Sequence, residues 1–469
     1  MEKKKIVIVG GGITGLSAAY YLKKEINANQ LPYEVKLLEA SDRLGGKIHT
    51  IRVGEFTIEK GADSFLARKE PGMRLVRSLG LQDQVIRNRT GQAYILLEDT
   101  LHPIPAGSYM GIPVREEPFL ATDLVSDTGK KRTLKEFDLA KSDYVTDRTL
   151  GGFFRQRFGD ELVENVLEPL LSGIYSGDID QMSLMATFPN FYQLEQEYGS
   201  LLKGLRETLP SGQASTGSKH GQFVSFEKGL ITMVEALEKE LGKETYELQA
   251  NLKKIERSEE GYVLQMENGK PYEADAVIMT IPHKKLATLF PESSFSQTLD
   301  EIPVTSVANV VLGFDEQPLQ TDLHGTGFLV SRNSAFRMTA CTWTHRKWPE
   351  TTPDGKVLLR AYVGKPTDQG IVDLPDSEIV DIVLQELNQI MGLSREPNFS
   401  IVTRWKKAMP QYTVGHLERL NNLRKETTEN LPGIFLAGSS YSGVGIPDCI
   451  GQGENAVESV LQFLKNNKT

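Results

Sequence analysis

A chain of 469 residues, 39% hydrophobic and 25% charged, can fill two or three soluble globular domains around a large core. Its 53 basic and 62 acidic residues leave a net charge of −9; this argues against a general nucleic-acid binder and means that any cations for an anionic ligand must be gathered locally. Two cysteines, Cys341 and Cys449, are too few for a disulfide framework or a zinc pattern and suit a reducing compartment.

The first predicted elements are a strand over Lys5–Val9, a helix over Ile13–Lys24 and a strand over Tyr33–Leu38 that ends at Glu39. This β-α-β unit opens a doubly wound α/β sheet. From about Leu75 to Leu209 helical spacing dominates, with Phe153, Phe154, Phe158, Leu162, Val166 and Leu167 fitting it well. Pro210–Gly221 is the best flexible loop. A helix over Leu230–Leu241 then leads into short strands around Tyr246–Glu256, Gly261–Glu267 and Ala276–Thr280, with an Asn268-Gly269 hairpin signal. Between about 300 and 405, strands such as Ala308–Phe314 and Val357–Val363 accompany a helix at Ser377–Met391, as in a mixed sheet covered by helices. Gly433–Ala437 is a buried-strand run, and the last helix carries Val457, Val460, Leu461 and Leu464 on one face. No segment reaches the ~18 apolar residues of a membrane-spanning helix, and the apolar run at the N-terminus is too short for a signal peptide.

Gly10, Gly12 and Gly15 fill a G-x-G-x-x-G pattern that also takes in Gly11, Ile13 and Thr14. The first glycine permits a tight turn, the second lets backbone approach a pyrophosphate, and the third lets helix pack on strand. The free amides of the helix start favour phosphate, and Glu39 is placed to accept ribose hydroxyls. Ala40, Arg43, Gly45, Gly46 and Lys47 follow directly. Arg43 and Lys47 offer cationic donors, and the glycine pair removes side chains where backbone must meet a phosphate or a flavin. Near the C-terminus, Gly438 and the Gly443–Asp448 turn, with Val444, Gly445 and Ile446, precede the last helix. By itself that arrangement reads equally as a capped helix without a ligand.

The Arg43–Lys47 run resembles the Arg-x-Gly-Gly-Arg/Lys element of the amine-oxidase-like flavoproteins. Glu168–Ser183, which holds Gly173-Ile174-Tyr175-Ser176-Gly177-Asp178, is similar to a segment of the porphyrinogen oxidases of that superfamily. Ser306–Asn309, Cys341–Trp343, Arg404-Trp405, Met409–Tyr412 and Gly443–Asp448 agree too, so the resemblance spans nearly the whole chain and is closest to the soluble bacterial branch. It implies a discontinuous Rossmann-like FAD-binding domain (1–75, 215–290 and 405–469), a mainly helical domain (76–214) and a mixed-sheet substrate domain (291–404).

The implied activity is FAD-dependent oxidation of coproporphyrinogen III to coproporphyrin III in haem biosynthesis. Six electrons leave as three hydrides to flavin N5, and molecular oxygen is the acceptor, yielding hydrogen peroxide. The resemblance adds Gly61, Ala62, Asp63 and Ser64 beside the isoalloxazine, and aims the last helix at the flavin's pyrimidine edge. It gives Leu252 and Trp405 as residues packing on FAD, Arg68 and Lys69 as holders of a substrate carboxylate, Gly173 as offering its carbonyl to accept from a pyrrole N–H, and Ile174 as an apolar wall. From the residues alone, a solvated loop fits Arg68 and Lys69 equally well, and plain core packing fits Ile174, Leu252 and Trp405. No catalytic base, triad or metal site is expected, since the cofactor carries the chemistry. Alternatives are a protoporphyrinogen IX oxidase, a flavin amine oxidase, or a porphyrin-binding flavoprotein without turnover. A cytoplasmic monomer or homodimer is expected, with contact to a membrane surface or to ferrochelatase left open.

Overall fold

The computed structural model describes residues 3–143, 146–209, 221–291, 293–315 and 324–467. Most of the Pro210–Gly221 loop expected from sequence (210–220) lies outside the described residues. The central element is a five-stranded sheet in the order Tyr246–Glu247, Tyr33–Leu38, Lys4–Val9, Ala276–Met279, Ile434–Leu436, every neighbouring pair parallel. Its strands come from three distant stretches of chain, so the sheet cannot form until both ends and the middle have met.

Alternation along these strands builds two cores. Ile6, Ile8, Ala276 and Ile278 face the helices Ile13–Asn29, Ile231–Leu241 and Ile446–Asn466. Val7, Val9, Val277 and Met279 face the antiparallel sheet Leu252–Arg257, Tyr262–Met266, Pro271–Ala274 and the helix His416–Asn430. A strand covered on both sides must be apolar at every position, which is why Ile6–Val9 and Ala276–Met279 lack polar residues. The Asn268-Gly269 turn joins Tyr262–Met266 to Pro271–Ala274, as its turn chemistry requires.

A second sheet of seven strands runs Phe399–Pro410, Val304–Phe314, Val357–Val363, Met338–Trp343, Gly327–Val330, Tyr94–Leu97, Thr100–Pro103. One neighbouring pair, Gly327–Val330 with Tyr94–Leu97, is parallel, and the rest are antiparallel. The helix Asp376–Met391 covers one face through Ile379, Val383 and Leu387. The sheet is larger than the sequence suggested: it recruits a hairpin from 94–103, and its Phe399–Pro410 strand continues past 404. The stretch after Leu75, expected to be mainly helical, therefore holds strands as far as Pro113, and its helical layer starts at Glu116. Tyr94–Leu97 is a short apolar run whose length cannot distinguish strand from helix.

In the helical layer the predicted face is correct: Phe153, Phe154, Phe158, Leu162, Val166 and Leu167 are all buried. Gly159 (φ 89°) breaks the helix after Phe158. A wide i→i+5 turn over Val163–Leu167 then leads into the helix Glu168–Tyr175. Such turns often mark functional sites.

Candidate functional site

The parallel strands end at Val9, Leu38 and Met279, and a crevice opens beyond their carboxyl ends, the usual place for a ligand in such sheets. The three spaced glycines are needed for three different reasons. Gly10 has φ 109°, and its amide donates to the Leu38 carbonyl at 2.8 Å. A Cβ on Gly15 would lie 1.9 Å from the Gly10 carbonyl oxygen, so helix and turn touch there. Gly12 caps the helix in an extended conformation (φ −70°) and a Cβ on it would meet nothing within 4 Å. That open approach is the shape a pyrophosphate needs.

Glu39 is held from both sides. Its Oε2 accepts from the Gly11 amide at 2.5 Å and its Oε1 from the Ser41 amide at 2.8 Å. Each oxygen keeps lone-pair capacity for ribose hydroxyls. Gly45 donates to the Gly11 carbonyl at 2.8 Å, and Gly45, Gly46 and Ala40 line the crevice with Ile13 and Thr14. Arg43 turns away from it. Its guanidinium donates to the carbonyls of Leu44 (3.2 Å), Ile48 (3.0 Å) and Gly46 (2.6 Å), so its work is to hold the glycine loop. Lys47 lines the crevice and donates to the Ala408 carbonyl; burial lowers its pKa.

Next along the cavity come Gly61, Ala62, Asp63 and Ser64. A Cβ on Gly61 would lie 1.9 Å from the Lys47 carbonyl oxygen, so the two loops press together. Trp405 fixes the same corner by donating from Nε1 to the Lys60 carbonyl at 2.9 Å. Asp63 accepts from Lys347 (2.9 Å), Trp348 Nε1 (3.3 Å) and Ser64 Oγ (2.7 Å), and pairs with Arg360 at 3.3 Å. Burial alone would raise its pKa, but Lys347 and Arg360 hold it well below the usual carboxylate range. Asp63 thus ties the flavin-facing loop predicted from sequence to the seven-stranded sheet.

The last helix starts at Ile446 with Gly445 as its cap, and Val444, Gly445 and Ile446 line the cavity with Leu252. The positive end of its dipole therefore faces the same space. Gly438 (φ 126°) sits behind, its amide donating to Gln452 Oε1 at 3.1 Å. Opposite, the cavity continues between the helix Glu168–Tyr175 and the seven-stranded sheet, for a total volume of about 1670 Å³. Gly173 and Ile174 line this part, and Ile174 is 43% exposed where a core residue would be covered.

Arg68 and Lys69 both line the cavity but differ in freedom. Arg68 is exposed and has no ion-pair partner among the described residues. Lys69 donates to both Asp448 oxygens at 2.7 and 2.6 Å, which locks it to the last helix. Gly11, Gly15, Arg43, Gly438 and Gly443 do not reach the cavity surface; the other candidate cofactor- and substrate-binding residues do.

Sequence reasoning missed several lining residues. Lys285, Lys365 and Lys407 line the cavity with no carboxylate partner among the described residues. Glu168 lines it too, with a carboxyl raised by burial to about 7. His283 is buried between Ser440 Oγ (2.9 Å) and the Ile302 carbonyl (3.0 Å), and burial lowers it to about 4. Glu168 entered the sequence reading only as the first residue of the Glu168–Ser183 segment. Among the described residues no group of three or more His, Cys, Asp or Glu is placed to hold a metal ion, and no helix is long and apolar enough to cross a membrane.

Fold and crevice together define a flavin-dependent oxidoreductase. The sequence matches the family of flavin-containing amine oxidoreductases over residues 13–461, and the chain belongs to that family. It is 50% identical over 464 residues to coproporphyrinogen III oxidase of Bacillus subtilis (strain 168), covering 98% of this chain and 99% of the relative. It is 42% identical to coproporphyrinogen III oxidase of Staphylococcus aureus (strain NCTC 8325 / PS 47), covering 98% and 100%. A crystal structure from Exiguobacterium sp. 255-15, of a protein provisionally named a protoporphyrinogen oxidase, superposes with a TM-score of 0.88 at 40% identity, covering 99% of this chain and 100% of that one. The cofactor is FAD.

Proposed function

We propose that this flavoenzyme oxidises coproporphyrinogen III to coproporphyrin III in haem biosynthesis, with molecular oxygen as the final acceptor and hydrogen peroxide as its product. The observation that carries this reading is one continuous cavity of about 1670 Å³ whose lining includes the dinucleotide-crevice residues Gly12 and Glu39, the loop Gly61–Ser64, and Gly173 and Ile174. FAD, when bound, supplies a two-electron acceptor that oxygen restores.

The chain's own residues bind and orient. Gly12 and the amides of the first helix turn hold the pyrophosphate, Glu39 the ribose, and Lys47 balances charge beside the glycine loop. Leu252 and Trp405 pack on the cofactor. The helix start at Ile446 lines the same cavity and would offer its dipole end to a flavin head bound there, favouring negative charge by roughly 0.3–1 kcal/mol, more when buried. In this reading 1–75, 215–290 and 405–469 form the FAD-binding unit, and the chamber lies between it, the helical layer (76–214) and the sheet-bearing unit (291–404). Gly173 and Ile174 would form the wall against which the macrocycle rests, with the Gly173 carbonyl as acceptor for a pyrrole N–H; both line the cavity.

Arg68, Lys365 and Lys407 bear on the choice of substrate. Arg68 and Lys407 have no ion-pair partner among the described residues, and Lys365 donates only to the Phe336 carbonyl at 3.2 Å; cations lining a cavity in this way suit a ligand that brings its own carboxylates. Coproporphyrinogen III has four; protoporphyrinogen IX, the second reading, replaces two propionates by vinyls. The free thiols Cys341 and Cys449 are both buried, which fits a cytoplasmic setting. The test is to compare initial rates of porphyrin fluorescence with the two porphyrinogens under the same conditions. Faster oxidation of coproporphyrinogen is expected; a preference for protoporphyrinogen would move the chain to the second reading.

A further inference from the structure

Five carboxylates line the cavity: Glu39, Asp63, Glu168, Asp178 and Asp448. Four are committed. Glu39 accepts two backbone amides, Asp63 holds Lys347 and Arg360, Asp178 pairs with Arg332 at 3.2 Å, and Asp448 binds Lys69. Glu168 alone of the five has neither an ion-pair partner nor a pair of amides among the described residues. It opens the helix Glu168–Tyr175 directly after the wide turn Val163–Leu167. With Ser172 and Tyr175 at i+4 and i+7 it forms one helix face, all three lining the chamber one turn from Gly173 and Ile174.

The oxidation proposed above has a proton requirement that the flavin does not meet. In each two-electron event a meso C–H bond breaks and its pair leaves as hydride to the flavin. A proton must leave as well, its bonding pair staying in the ring system to form the new double bond; over three events the three protons come from two pyrrole N–H groups and the fourth meso carbon, which leaves the two N–H groups of the porphyrin in place. We infer that the Glu168 carboxylate takes up this proton in each event and releases it to water before the next. The inference rests on the porphyrinogen reading.

Position and surroundings suit the task. Glu168 is 9% exposed, and the Ser172 hydroxyl beside it donates to the Glu168 carbonyl at 2.5 Å. Arg332, from the loop after Gly327–Val330, reaches Asp178 and also Asp180 at 2.7 Å, and Arg155 anchors Asp180 and Glu164. These are the charged groups that face Glu168: Arg332 favours its anion, and Asp178 and Asp180 oppose it. Burial is the largest influence and brings the carboxyl to about 7, where a base both accepts and releases a proton readily.

The test uses the FAD-loaded enzyme and two variants, Glu168→Gln and Glu168→Asp. Anaerobic flavin bleaching with saturating coproporphyrinogen III is followed across roughly pH 5.5–8.5, a span chosen around the working range of a general base. The wild type should show a rate that rises with pH through about 7. Glu168→Gln should lose this limb and slow by about 100-fold or more, with FAD content unchanged, and Glu168→Asp should restore part of the rate with a displaced limb. Independently of turnover, infrared titration of the substrate-free holoenzyme should show a protonated carboxyl band that fades through about pH 7 and is missing from Glu168→Gln. A wild type that bleaches while Glu168→Gln keeps both rate and limb overturns the inference alone, as does an infrared band that survives the substitution. A wild type that bleaches with neither porphyrinogen overturns the substrate reading and this inference with it. If the Gln chain does not fold, an unmoved limb in Glu168→Asp is the overturning result and a displaced one the supporting result.

Discussion

Replacing Gly12 and Gly15 separately by alanine divides cofactor binding from folding. Gly12 sits at φ −70°, which alanine adopts freely, and its new methyl would meet no protein atom within 4 Å. The apo chain should therefore keep its stability or gain about 0.4–1 kcal/mol from a less flexible unfolded state. The methyl does enter the space through which a phosphate reaches the helix amides. Loss of one charge-assisted hydrogen bond costs about 1.5–3 kcal/mol, so FAD should bind about 10- to 150-fold more weakly. Gly15→Ala differs, since its Cβ would be forced to within 1.9 Å of the Gly10 carbonyl oxygen; helix and strand must separate, and both apo stability and FAD binding should fall. The assay is flavin removal, thermal unfolding of each apo chain, and titration with FAD followed by fluorescence quenching. Unchanged FAD affinity in Gly12→Ala would refute the assignment of this turn to the pyrophosphate.

Three further outcomes are expected. Asp63→Asn strands Lys347 and Arg360, the latter 1% exposed, and breaking a buried pair in this way costs about 3–5 kcal/mol; denaturant unfolding should register it, and a loss below about 1 kcal/mol would mean that the pair is solvated. Arg68→Ala should raise KM for coproporphyrinogen III several-fold and leave kcat alone, since an exposed ion pair contributes no more than about 1 kcal/mol; a fall in kcat at unchanged KM would contradict a role in holding a carboxylate. Burial raises Glu59 to about 7 from a model-peptide value of 4.5, with the Leu230 amide, Arg360 and Thr50 opposing. Its folded-state pKa exceeds the unfolded one, so its stabilising contribution is complete below about pH 4.5 and is lost as pH rises through about 7. Glu59→Gln should thus flatten the decline in stability between mildly acidic and mildly alkaline pH seen by urea unfolding; an identical decline in the variant would locate its cause elsewhere.

What could be seen in the sequence was local. Gly10, Gly12, Gly15 and Glu39 lie within one β-α-β unit, where strand and helix periods fix their relative positions, and they fall where the spacing requires. Side-chain direction is not local. Arg43 and Lys47 look alike as cations flanking two glycines, yet Arg43 points back into its own loop and Lys47 faces the crevice. Lys69 read as a free cation because its partner, Asp448, is 379 positions away. The hairpin at 94–103 was hidden by the strong helical period that follows it. Glu168 had no distinguishing mark: an acid at a helix start is ordinary, and only the folded chamber shows that its carboxyl lacks a cation.

The central claim is that a reducible flavin in the Gly12–Glu39 crevice faces a substrate in the chamber walled by Ile174. The direct measurement is an anaerobic single turnover: the yellow holoenzyme is mixed with an equimolar amount of coproporphyrinogen III and its visible spectrum recorded. The flavin bands should bleach as the substrate is oxidised, and return on admitting oxygen with formation of hydrogen peroxide. A flavin that stays oxidised in the presence of coproporphyrinogen, or a porphyrin formed without any change at the flavin, would contradict it.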